Sequence, residues 1–240
     1  ADRGAVGGVQ FRDERTDPLA VRDAVDVLDD HLEVLGQRIV DNGVILAPVL
    51  ALPSPNHQPA ADPARTDSLR PTRLSDVATV EVEWLWHHRI PLGMLTVVFA
   101  PPGVGKGTLV AAIAARVTRG EALPGDPPRA AGQVVFVVAE DDVSRTLRPR
   151  LVAAGADDAR VLVFGPECAI RLPRDAHAVE EAAQSAALVV VDPLRGVTNG
   201  NSARQVRATL TALDAIGRRT GAAVAGVHHT NRSRDGAPRA

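Results

Sequence analysis

From about residue 80 onward, runs made almost wholly of apolar residues alternate with helical segments, and most of the runs end on chemically special residues. Leu95 to Ala100 reads as a strand, followed by a glycine-rich turn and a helix from about Gly105 to Arg119. Val134 to Ala139 is a second strand, with a helix after it that passes Arg150 and Leu151 and stops near Gly155. Val161 to Phe164 is a third strand and Asp175 to Ala186 a helix. Leu188 to Val191, ending at Asp192, is a fourth strand, and Val206 to Arg219 a helix. Ala222 to Val227, ending at His228, is a fifth. Strands without a polar face need cover on both sides, so this alternation predicts a mostly parallel sheet with helices on both faces, an α/β fold. Such sheets bind ligands at the carboxyl ends of their strands. Here those ends read Ala100-Pro-Pro-Gly, Glu140-Asp-Asp, Asp192-Pro and His228-His229.

The first of these ends is the most specific. Ala100-Pro-Pro-Gly-Val-Gly-Lys-Gly-Thr108 follows a strand and opens a helix, which is the setting a phosphate-binding P-loop requires. Glycines let successive N–H groups turn inward around an anion, and the helix N-terminus adds its positive pole. Pro102, Gly103, Val104, Gly105, Lys106, Gly107, Thr108 and Leu109 are the expected nucleotide-binding residues, with Lys106 reaching the β- and γ-phosphates of ATP. Of 27 basic residues, every one but Lys106 is arginine. A chain that writes arginine everywhere else keeps a lysine where a slim point charge is needed. Two positions depart from the usual loop. Ala100 replaces the first glycine, and Gly107 stands where Ser or Thr is usual, moving the hydroxyl to Thr108. Thr108 is therefore expected to meet Mg²⁺ through water.

Leu188-Val-Val-Val-Asp192 reads as a Walker B strand, with Asp192 orienting Mg²⁺ or its water. Glu140, at the end of an intervening strand, is the candidate general base for an attacking water. Asp141 and Asp142 read better as caps of the next helix. His228 and His229 end the last strand, where a neutral imidazole donates to the γ-phosphate and senses its loss. Adjacent histidines without further ligands do not make a zinc site. His87-His88 is expected in a surface turn.

From Trp84 to about Arg234 the sequence resembles the RecA-like ATPases of the RepA helicase type, relatives of KaiC and DnaB found on plasmids, phages and integrated elements. The resemblance rests on Glu83-Trp-Leu-Trp86 with Ile90-Pro-Leu-Gly93, the P-loop, and Val137-Val-Ala-Glu-Asp-Asp142. Further pieces are Arg150-Leu-Val-Ala-Ala-Gly-Ala156, Val190-Val-Asp-Pro-Leu194 and His228-His-Thr-Asn231. It implies a RecA-like P-loop NTPase fold, with Glu140 as base, Asp192 as the Walker B carboxylate and His229 as the histidine of the last strand. His228, Asn231 and Arg232 become candidates for sensing phosphate or touching DNA. It also implies hexameric rings with ATP between subunits and an arginine finger from the neighbour. In that family the finger lies beyond the histidine motif, so a chain ending at Ala240 is expected to lack it.

The remainder is read from composition. Residues 1–52 form an N-terminal arm and an amphipathic helix, with Val21, Val25, Leu28, Leu32, Leu35 and Ile39 on one face. That face fits either a neighbouring domain or a helix–helix contact in an oligomer. Val44 to Leu52 is a short apolar segment. Pro53, Pro55, Pro59, Pro63 and Pro71 mark a linker over 53–75, leaving 76–240 as the ATPase domain. A start at Ala1 and a sole methionine at Met94 suggest a piece of a longer polypeptide. One cysteine, Cys168, excludes an intrachain disulfide framework. No apolar run reaches the roughly 18 residues a membrane span needs, and the cytoplasm is the default location. A net charge of -2 gives no global pull toward nucleic acid. Four Phe, two Trp and no Tyr leave little from which to build base-stacking platforms. The last forty residues are locally basic, through Arg204, Arg207, Arg218, Arg219, Arg232, Arg234 and Arg239, which suits a phosphate backbone or a solvated tail equally.

These readings converge on an ATP-hydrolysing motor using Mg²⁺, a helicase or helicase-like ATPase with single-stranded DNA as partner and a homo-oligomeric ring as its working form. Two other classes stay open. Gly-Lys-Gly-Thr also occurs in adenylate kinases, which would make the chain a phosphotransferase. A nucleotide-binding regulatory or assembly module with little turnover is the third.

Overall fold

The computed structural model describes residues 45–49, 72–101 and 103–229, with the backbone alone described at 45–49 and 229. Among the described residues eight strands form: β1 (Ile45–Val49), β2 (Trp84–Trp86), β3 (Ile90–Pro91), β4 (Leu95–Ala100), β5 (Gln133–Val138), β6 (Val161–Phe164), β7 (Ala186–Asp192) and β8 (Ala223–His229). The helices are α1 (Lys106–Arg119), α2 (Arg148–Ala153), α3 (Ala176–Ala182), α4 (Leu194–Val197) and α5 (Ala203–Thr220).

Six strands make one sheet in the order β1-β4-β8-β7-β5-β6, and β2 pairs with β3 in a separate hairpin. The five strands from β4 to β6 are parallel, whereas β1 runs antiparallel to β4. This is the α/β, RecA-like P-loop NTPase architecture. Segment 45–49, read with the N-terminal arm, thus hydrogen-bonds to the strand that leads into the phosphate loop. The amphipathic helix expected from Leu19 and nearly all of the Pro-rich linker lie outside the described residues.

Alternation along each strand sends successive side chains to opposite faces. Val134, Phe136 and Val138 of β5 pack with α1, with Leu147 and with Leu151 of α2. Val135 and Val137 of the same strand pack with Val179 of α3 and Leu213 and Ile216 of α5. Every one of these side chains is nearly or fully buried, the condition that an all-apolar strand requires.

Two expectations need correction. The helix expected over Asp175 to Ala186 is only α3, because the chain turns at 183–185 and Ala186 already pairs with Gln133 at the start of β7. The helix after β5 begins as a single π-helical turn, Val143–Leu147, before α2. Pro149 has no N–H to give and sits just where the wide turn passes into ordinary helix. The last strand, Ala223–His229, ends on the two histidines, as expected. The hairpin of β2 and β3 and the short α4 were not foreseen. His87 and His88 are exposed in the hairpin turn, as expected there. No helix among the described residues is long and apolar enough to cross a membrane.

Candidate functional site

β4 ends at Ala100, and the chain then wraps through the glycine-rich loop into α1. Gly103 and Gly105 carry φ of +83° and +88°, values at which any side chain would be strained. Gly105 is the N-cap of α1, so the loop's left-handed residues hand the chain directly to the helix. No acidic residue occupies the first turn of α1, and its positive pole is left for a ligand. Leu109 anchors the turn, with its side chain in the core and its N–H bonded to the Gly105 carbonyl at 2.9 Å. Thr108 lies half-buried in that turn, and Pro102 is outside the described residues.

Lys106 is only 4% exposed. Its Nζ donates to the carbonyls of Ala100 and Pro101 at 2.8 and 2.7 Å, folded back across the mouth of the loop. Burial lowers its pKa below the ordinary lysine value, opposed by the charge of Asp192, which raises it. The P-loop lysine and the end of β7 are therefore electrostatic neighbours.

Strand register brings the other candidates to the same edge. Val138 of β5 pairs with Asp192 of β7, so Glu140 emerges just beyond it. β8 lies between β4 and β7, with Phe99 paired to His228 and Ala100 to His229. The rings of Phe99 and His228 meet edge-on at 5.6 Å. Glu140 and His228 line a cavity of about 610 Å³ together with Phe99, Arg195 and Asn201, on the α4–α5 side of the strand ends. Asn231 and Arg232 lie outside the described residues.

Asp142 behaves as a cap. Its carboxylate accepts from the N–H groups of Ser144 and Arg145 and from the Ser144 hydroxyl, all at 2.8 Å. The Ser144 hydroxyl bond, foremost, holds its pKa below the usual carboxylate range. Asp141 instead pairs with Arg150 at 3.2 Å. Sequence reasoning did not single out Arg150 as a site residue, nor Phe99, Arg195 and Asn201 of the cavity wall. Arg150 opens one of the segments that carry the family resemblance, but as one arginine among many it was given no role.

The family described as an AAA domain (AAA_25) matches residues 60–235. The chain belongs to this family. The AAA domain is thus a P-loop ATPase domain. No curated protein matches this AAA domain. ATPases of this kind use Mg²⁺ as a rule, and the donor set fits one. A single carboxylate at Asp192 and a hydroxyl at Thr108 suit an ion that takes its remaining oxygens from water and phosphate.

Proposed function

We propose that this AAA domain is an ATP-hydrolysing motor of the RepA helicase type, related to KaiC and DnaB, that works as a homo-oligomeric ring on single-stranded DNA. The observation that carries the reading is the shared edge: β5, β7 and β8 bring Glu140, Asp192 and His228 to the side of the sheet where β4 opens into the phosphate loop.

In this reading the N–H groups of 103–108 and Nζ of Lys106 bind the β- and γ-phosphates, with Pro102 completing the loop. To do so, Lys106 exchanges two carbonyl acceptors for charged oxygens, which are roughly twice as strong as partners. Asp192 and Thr108 would hold Mg²⁺, which supplies charge neutralisation on the phosphates. Glu140 accepts the proton of the attacking water. His228 and His229, at the end of the strand between loop and carboxylates, register the presence of the γ-phosphate. The 610 Å³ cavity beside Glu140 and His228 leaves room for movement at this end of the strands. The ring, the DNA and a trans arginine rest on the resemblance, with Asn231 and Arg232 as candidates for DNA contact.

Phosphate release by the chain, measured with and without single-stranded DNA over a range of protein concentrations, tests the proposal. A motor gives turnover that rises with DNA and more than linearly with protein. Transfer of phosphate to AMP would identify a kinase, and binding without turnover a regulatory module.

A further inference from the structure

Gly107 occupies the position where P-loops usually carry the hydroxyl residue, and something else fills the space. A Cβ at Gly107 would lie 2.8 Å from Nη1 of Arg150 and 3.1 Å from its Cζ. The guanidinium is therefore packed against the first turn of α1, next to Lys106, in the volume a Ser or Thr side chain would take. Its guanidinium donates to Asp141 through a single 3.2 Å bond, and the two side chains are 26% and 44% exposed. Such a half-exposed pair contributes little to folding.

The position is electrostatically awkward for a cation. Helix N-termini carry positive partial charge and favour anions, whereas arginines belong at helix C-termini. Arg150 nevertheless lies against the N-terminal turn of α1. One carboxylate, Asp141, offsets this. A triphosphate would turn the same arrangement from unfavourable to favourable, because a planar guanidinium matches phosphate oxygens two at a time.

We propose that Arg150 is a nucleotide-contacting arginine acting in cis: its guanidinium leaves Asp141 for the phosphate oxygens of bound ATP, and Gly107 is glycine to give it room. This rests on the loop being the ATP site. Asp141 is then a parking place, a carboxylate that holds the arginine at the loop until the phosphates arrive. Arg148, two residues earlier, pairs with Asp158 and takes no part.

Calorimetric titration of the full chain with a non-hydrolysable ATP analogue and Mg²⁺ tests this on three variants. Arg150→Ala should weaken binding about 10- to 100-fold, the range for a lost charge-assisted bond. Asp141→Asn should bind more tightly than wild type, because the guanidinium no longer has to leave a carboxylate. Equal losses in Arg150→Ala and Asp141→Asn would show that the ion pair merely shapes the loop, and would overturn the proposal. Wild-type affinity in Arg150→Ala while Lys106→Ala loses binding would also overturn it and leave the ATP site standing. Wild-type affinity in both would remove the ATP site itself. Should the alanine variant not melt like wild type, Arg150→Gln keeps the bulk without the charge and is read by the same criteria.

Discussion

The backbone N–H of Ala139 donates to the carbonyl of Asp192 at 3.2 Å. This bond extends the β5–β7 ladder one residue past the end of β5, onto the last residue of β7, and fixes Glu140 relative to Asp192. Two carboxylates from segments about fifty residues apart are thereby held by backbone geometry, before any ligand binds. Changing one of them alone should leave the other in place.

Glu140→Gln should therefore keep ATP binding and lose most hydrolysis, by about 10²- to 10⁴-fold, the usual contribution of a general base. Binding by calorimetry and turnover by phosphate release separate the two. Normal hydrolysis in Glu140→Gln would assign the base elsewhere.

Asp142→Ala should act on folding instead. It removes the cap of the π-helical turn at 143–147, a loss of roughly 0.5–2 kcal/mol, and Asp142→Asn should restore most of it. Urea denaturation measures both, with kcat nearly unchanged in the asparagine variant. A collapse of kcat in Asp142→Asn at unchanged stability would make Asp142 part of the chemistry.

Lys106→Arg should bind ATP nearly as poorly as Lys106→Ala. The ammonium is packed between the Ala100 and Pro101 carbonyls in a position only 4% exposed, where a guanidinium does not fit. Wild-type affinity in the arginine variant would refute this.

Because burial holds the Lys106 pKa below the ordinary lysine value, bound phosphates should raise it. Between the lowered and the raised value, binding takes up a proton, so affinity should fall as pH rises through the free protein's Lys106 pKa. For folding the sign is opposite. The unfolded chain holds more protons in the window below the ordinary value, so this group's contribution to stability rises with pH there. Titrations in buffers of different ionisation heat should show the proton uptake at alkaline pH and lose it in Lys106→Ala.

Gly120→Ala should destabilise the domain by about 2 kcal/mol or more. Gly120 caps α1 with φ +71°, and an added Cβ would collide with the Arg129 carbonyl and lie 2.8 Å from the Ala131 nitrogen. Chemical denaturation reads the loss directly.

Much of this arrangement was legible in the sequence, because all-apolar strands, a glycine-rich turn and a lone lysine are local signals. β4 and β6 begin and end where their apolar runs do. What local signals lack is neighbourhood. Nothing in the runs at 188–192 and 223–229 says that the later strand slots between the earlier one and β4, yet that order sets the site. Arg150 was hidden for a related reason, since its partner Gly107 is distant in sequence and bears no side chain. The hairpin at 84–91 is too short for any period to declare itself.

Gly226 sits mid-way along β8, paired with Val97 on one side and Val191 on the other. A Cβ there would strike the side chain of Leu194, 2.7 Å away, so the leucine at the head of α4 is keyed into a notch in the strand. β8 is thus a tongue between two rails, with α4 mortised onto its back. Any sliding of its histidine-bearing tip must drag α4 along, and with it the start of the segment that joins β7 to α5.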